Sequence, residues 1–238
     1  MDKVIDFHTH LGRDLDGSVN TAGQILAQMK ANGVAKTVIF PFNSRDKTFF
    51  SENNRIAEIS KSYPCLIGFA RLNPWWPGCL DEMDRVMELG LKGFKMHPRA
   101  QDFTLLDIPD VLEKIDRLGV PLLLHSRHLS GQHVRHIREL APSYSFPIVM
   151  GHAGLGDAEG TVRAAVEHPN VFLEVSINFS YIVRLLLEDA GAEKVIFGTD
   201  SPYMEVGTML DRVLGIQGLS DEDLHLVLYG NAARILGL

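Results

Sequence analysis

Eight short runs of apolar and β-branched residues recur along the chain, near residues 3–7, 35–40, 65–70, 92–97, 120–125, 147–152, 171–176 and 194–198. Segments of helical period separate them, near 21–32, 51–62, 79–90, 107–118, 131–140, 157–167 and 180–190, with more helix from about 203 onward. Strands that alternate with helices pair in parallel, and eight such units close into a (β/α)8 barrel, the TIM-barrel fold. Ser51 and Asp107 are candidate N-caps, and Gly33, Gly90 and Gly119 stand where helices should stop. No linker, repeat or low-complexity segment divides the chain, so residues 1–238 are expected to form a single barrel domain. An open doubly wound sheet is disfavoured because no Gly-x-Gly-x-x-Gly follows the first strand.

In a barrel, the strand C-termini build the site, and here those ends carry ionisable residues. The first run leads into His8-Thr9-His10, whose alternation points both imidazoles to one side of a strand. Later runs end at Lys95-Met96-His97, His125, His152 and Asp200. A single strand-end histidine is more often a structural residue than a ligand, but convergence of five with an aspartate outweighs that base expectation. Neutral imidazole is the commonest metal ligand. Taken alone, Asp200 would read as an N-cap of the segment after it. His128, His133, His136, His168 and His225 fall in expected loops and helices and are left outside the site.

Composition narrows the partners. A net charge of −7 disfavours a surface that must neutralise phosphates, so nucleic acid is not expected. No apolar stretch approaches the roughly 18 to 20 residues of a membrane span, and the first strand begins too early for a signal segment. A cytoplasmic, soluble protein is expected. Cys65 and Cys79 lack metal-type spacing and fit a reducing compartment.

The set His8-Thr9-His10, Gly93-Phe94-Lys95-Met96-His97-Pro98, His125, Gly151-His152-Ala153-Gly154 and Gly198-Thr199-Asp200-Ser201-Pro202 resembles the amidohydrolase superfamily. The branch it resembles is the amidohydrolase-2 group, which includes aminocarboxymuconate-semialdehyde decarboxylase and related hydratases and hydrolases. Gly230-Asn231-Ala232-Ala233-Arg234-Ile235-Leu236 is similar to that group's closing helix, so the resemblance covers the whole chain. It implies one divalent metal held by His8, His10, His125 and Asp200. Zinc is the expected ion, with manganese or iron as alternatives. Asp200 would also take the proton of the attacking water, and His152, off the metal, would orient that water or stabilise oxyanion charge.

Lys95 and His97, two residues apart on the fourth strand, should both face the lumen. In other branches of the superfamily an inward lysine here is carbamylated and bridges two metals. We expect Lys95 unmodified, with its ammonium near an acid or a substrate anion. Absence of a strand-four glutamate counts against the TatD-type deoxyribonuclease branch. Arg71, Arg99 and Arg127 follow strand ends and are candidates to clamp a substrate carboxylate. Trp75 and Trp76 could wall the substrate or contact a second copy in a homo-oligomer. The expected activity is hydrolysis of a small, carboxylated amide, lactone or ester. Non-oxidative decarboxylation or hydration on the same site is the runner-up, and a catalytically silent metal-binding protein the third possibility.

Overall fold

The computed structural model describes residues 3–127 and 131–238. His128 lies outside the described residues, as does the side chain of His133. Eight parallel strands form the barrel: β1 (Val4–Arg13), β2 (Val34–Pro41), β3 (Leu66–Gly68 and Ala70–Arg71), β4 (Phe94–Met96), β5 (Leu122–His125), β6 (Ile148–Gly151), β7 (Val171–Glu174) and β8 (Val195–Ile196). The two pieces of β3 pair with β2 and with β4, which joins the two halves of the sheet. Closure comes from single bonds between the last and first strands. Phe7 N donates to Phe197 O at 3.0 Å, Asp200 N to His8 O at 2.7 Å and His10 N to Ser201 O at 2.9 Å.

Strand alternation sorts the apolar side chains into two layers. Ile5, Phe7, Val38, Phe40, Ile67, Phe69, Leu123, Val149, Phe172 and Ile196 fill the lumen. Ala232 and Ala233, on the closing helix Asn231–Leu236, cover its lower end. The opposite strand faces, with residues such as Val4, Phe94, Leu124 and Met150, pack against the helices. Each large apolar side chain so buried contributes roughly 1.5–3 kcal/mol.

The helices lie close to their expected positions, with caps that differ in two places. Thr21 caps Ala22–Asn32 through a reciprocal box with Gln24, and Gly33 ends it in a left-handed conformation at φ 67°. Gly119 does the same for Pro109–Leu118. Ser51 is not an N-cap, because helix Phe50–Ser62 begins one residue before it and the cap position is Phe49. Thr48, not Ser51, meets the free amide of Phe50, at 3.2 Å. Asp107 likewise ends a 3₁₀ turn, Leu105–Asp107, where its carboxylate returns to the Thr104 amide. Both cysteines are free, Cys79 buried and Cys65 partly so. Among the described residues no helix is long and apolar enough to cross a membrane.

Candidate active site at the barrel mouth

The first strand is irregular where the site begins. Between Asp6 and Thr9 it advances three residues while β2 advances two, from Thr37 to Ile39. This bulge breaks the alternation and turns Phe7 into the lumen and its neighbour His8 into the mouth, a common use of bulges beside functional sites. Asp6 holds the bulge in place. Its carboxylate accepts from His8 N at 3.1 Å, Thr9 Oγ1 at 2.9 Å, Thr199 N at 3.0 Å and Thr199 Oγ1 at 2.7 Å. Burial nevertheless pushes its carboxyl up to about 6.

His8, His10 and Asp200 meet above the lumen, their ligand atoms within 4.8 Å of one another. His8 Nε2 lies 3.2 Å and His10 Nε2 3.1 Å from Asp200 Oδ1. The His10 ring stacks on Phe42 at 4.7 Å, which fixes its plane. Asp200 has φ 64° and His152 φ 59°, left-handed conformations rare for side-chain-bearing residues and typical of functional sites. Asp200 caps no helix, since the next one starts at Val206 behind Glu205. Two glycines make room. A Cβ on Gly151 would stand 3.0 Å from His8 Cε1, and one on Gly198 would stand 2.2 Å from Glu174 Oε1.

Glu174 is the residue that sequence reasoning missed. It is fully buried at the end of β7, and its Oε2 accepts from His8 Nδ1 at 2.7 Å. The signal was present: it is the lone charged residue in the run Val171–Ser176, and it shares strand parity with the inward Phe172. With the proton of His8 on Nδ1, the Nε2 lone pair faces Asp200 Oδ1. That oxygen is buried and receives no hydrogen bond among the described residues. Two lone pairs so placed, with His10 beside them, suit a divalent cation, and a carboxylate behind a ligating histidine is a recurrent metal-site arrangement. The second compact set, His8, His152 and Glu174, differs in kind. Its Glu174 Oε2 already receives His8 Nδ1, Ser176 Oγ and His152 N.

The remaining expected residues surround this group. His125 stands apart from both compact sets. Its ring stacks on His97 at 3.7 Å between centroids and lies 4.8 Å from that of His152. His152 Nε2 is 3.8 Å from Asp200 Oδ2. His97 Nδ1 accepts from Ala100 N at 3.1 Å, which leaves its ring proton on Nε2. Lys95 Nζ lies 3.3 Å from His8 Nε2 and 5.1 Å from the centre of the Phe40 ring. No carboxylate comes within 4 Å of that ammonium among the described residues, and the charges of Asp200 and Glu174 reach it from farther away. The lumen below it is apolar, and the nearby acids already face histidines.

Charge at the mouth follows from burial. Desolvation pulls Lys95 down to about 7, His10 to about 4, His152 to about 3 and His97 to about 2. Burial and Lys95 push His8 down as well, but Glu174 and Asp200 outweigh them and leave it above its ordinary value. Asp200 is held well below the usual carboxylate range: burial opposes this, and His152, His8 and His10 prevail.

Arg71, at the C-terminal end of β3, is fully buried, bonded to Pro41 O at 3.2 Å at the end of β2 and to the Asn43 side chain in the loop after it, with burial lowering it to about 10. Arg99 and Arg127 are exposed after β4 and β5. Trp75 is half exposed and donates to Gln101 O at 2.8 Å.

Several solved structures share this architecture. Dihydroxybenzoic acid decarboxylase from Polaromonas, with bound manganese and the inhibitor 2-nitroresorcinol, is 18% identical with a TM-score of 0.81 over 100% of this chain and 98% of that one. 5-Carboxyvanillate decarboxylase from Sphingomonas paucimobilis is 19% identical, with a TM-score of 0.78 over 99% of each chain. A protein assigned as a 2-pyrone-4,6-dicarboxylic acid hydrolase from Pseudomonas putida is 21% identical, with a TM-score of 0.78 over 99% of this chain and 97% of that one. No curated protein matches the chain in sequence. The amidohydrolase family model matches residues 5–238, and the chain belongs to that family.

Proposed function

We propose that this barrel is a metal-dependent hydrolase of a small, carboxylated amide, lactone or ester. The observation that carries the proposal is the convergence of His8, His10 and Asp200 at the C-terminal mouth of an amidohydrolase barrel, with Asp200 Oδ1 buried and lacking a hydrogen-bond donor among the described residues. His8, His10 and Asp200 would hold one ion, which we assign as zinc, and His125, outside that compact set, would be the fourth ligand, supplied from β5. Such an ion acidifies water and polarises a carbonyl.

The chain's own groups divide the remaining work. Asp200, ionised, is the base that takes the water's proton. His152, 3.8 Å from it, orients that water. Lys95 and the Nε2–H of His97 supply donors on the opposite side, where a substrate carbonyl or carboxylate would lie. Arg99 and Arg127 are the cations that an acidic substrate passes on entry.

A second reading keeps the site and changes the reaction to non-oxidative decarboxylation or hydration. It draws support from the shared fold of the Polaromonas and Sphingomonas decarboxylases. A panel of carboxylated lactones, amides and hydroxybenzoates, followed for both acid release and carbon dioxide release, separates the two. Acid release that a chelator abolishes is the expected result. Carbon dioxide release would move the assignment to decarboxylation. Absence of turnover together with absence of bound metal would reject both.

A further inference from the structure

We propose that Ser176 and Glu174 fix the proton of His152 on Nδ1, so that its Nε2 is a hydrogen-bond acceptor in the site and not an oxyanion donor. The inference rests on the proposed reaction only for what Nε2 accepts, since the hydrogen bonds alone determine the tautomer.

Glu174 carries no proton to give. Its Oε1 accepts from Ser176 N at 2.6 Å, and its Oε2 from His8 Nδ1 at 2.7 Å and His152 N at 3.2 Å. Ser176 Oγ lies 2.8 Å from the same Oε2 and 2.7 Å from His152 Nδ1. A hydroxyl has one proton. Were it given to His152, two bare oxygens would face each other at 2.8 Å inside a buried site, an uncompensated contact of the kind that destabilises. Ser176 therefore donates to Glu174 and accepts from His152 Nδ1–H. All three side chains are buried, and every contact between them then carries a proton.

The mouth is polarised as a result. On the β4 side, Lys95 and the Nε2–H of His97 donate, whereas His152 Nε2 accepts on the β6 side, beside the Asp200 carboxylate. A water or substrate hydroxyl thus finds its acceptors on one side, and developing negative charge finds its donors on the other. Glu174 sets this polarity twice, through His8 directly and through Ser176 for His152. Ser176 is a positioning residue, because it acts through the imidazole.

The test is the tautomer of His152, read from ¹⁵N–¹H correlations of the histidine ring nitrogens in Zn²⁺-loaded protein, with the signals assigned by His152→Gln. A proton on Nδ1 is expected in the wild type and in Ser176→Thr, which retains the hydroxyl, and its loss or a mixture of tautomers in Ser176→Ala. Ser176→Ala should also lower turnover by about 10- to 100-fold with its zinc content unchanged, a magnitude common for groups that orient site histidines. A wild-type spectrum with the proton on Nε2 overturns the inference, and so does an Nδ1–H that survives unchanged in Ser176→Ala. If Ser176→Ala fails to fold, the wild-type spectrum still decides. A chain that takes no zinc contradicts the proposed function and leaves the tautomer readable in the same spectrum.

Discussion

On β1, Phe7 fills the lumen and the next residue, His8, stands in the mouth; on β7, Phe172 and Glu174 divide in the same way, two residues apart. The lumen is satisfied by shape. The mouth concentrates His8, Lys95, His152, Glu174 and Asp200 almost wholly out of water, where charges destabilise unless they are paired or bind a cation. One strand set thus builds a region that holds the fold together and a region that strains it. Substitutions in the two should separate stability from chemistry.

The largest expected effect is at Asp200. Asn tolerates the left-handed backbone that Asp200 adopts, so Asp200→Asn should fold normally and lose roughly 10²- to 10⁴-fold in turnover, the range for removing a catalytic base. An active variant would show that the mouth does not work through this carboxylate.

The lumen counterpart is Phe69→Ala. Removing a fully buried ring should lower unfolding stability by about 3–5 kcal/mol, while the folded fraction keeps its metal and activity. Loss of metal without loss of stability would erase the distinction between the two regions.

A smaller effect concerns the cost of the mouth itself. Burial lowers the folded-state pKa of Lys95 to about 7, from 10.5. The unfolded chain therefore binds more protons between those values, and stability falls as the pH drops from 10.5 to about 7, below which the loss is complete. Lys95→Met removes this penalty. In metal-free protein it should be more stable than the wild type by about 1 kcal/mol or more at pH 7, with the difference shrinking toward pH 10. Thermal unfolding of both proteins at the two pH values checks the sign. A variant less stable at pH 7 would mean that the ammonium is held by stronger partners than His8 and the Phe40 ring.

The sequence made the lumen and half of the mouth readable for different reasons. Apolar runs alternating with helical segments specify a barrel through periodicity, and strand-end histidines mark its C-terminal face because that face is where side chains leave the core. Glu174 was hidden because one acid in a strand has no periodic signature; only its contact with His8, 166 residues away in sequence, gives it a role. The bulge at Asp6 was hidden because it depends on Thr199, which the fold brings beside it from the other end of the chain. Arg71 shows the limit in another form. Its place at the C-terminal end of β3 was legible, but its full burial was not, because the Pro41 carbonyl and the Asn43 side chain that hold the guanidinium come from the end of a different strand and the loop after it. The helix starts show the same limit on a smaller scale, since the loops ahead of them put Phe49 and Ile108, and not Ser51 and Asp107, at the cap positions.

The central claim, that the mouth is built around one divalent ion, is tested most directly by elemental analysis of the purified protein beside the double variant His8→Ala, His10→Ala. The expected result is about one equivalent of a divalent transition metal per wild-type chain and almost none in the variant, with the barrel fold retained by circular dichroism. Equal metal content in the two proteins, or none in either after growth and purification with Zn²⁺ or Mn²⁺ supplied, would contradict it.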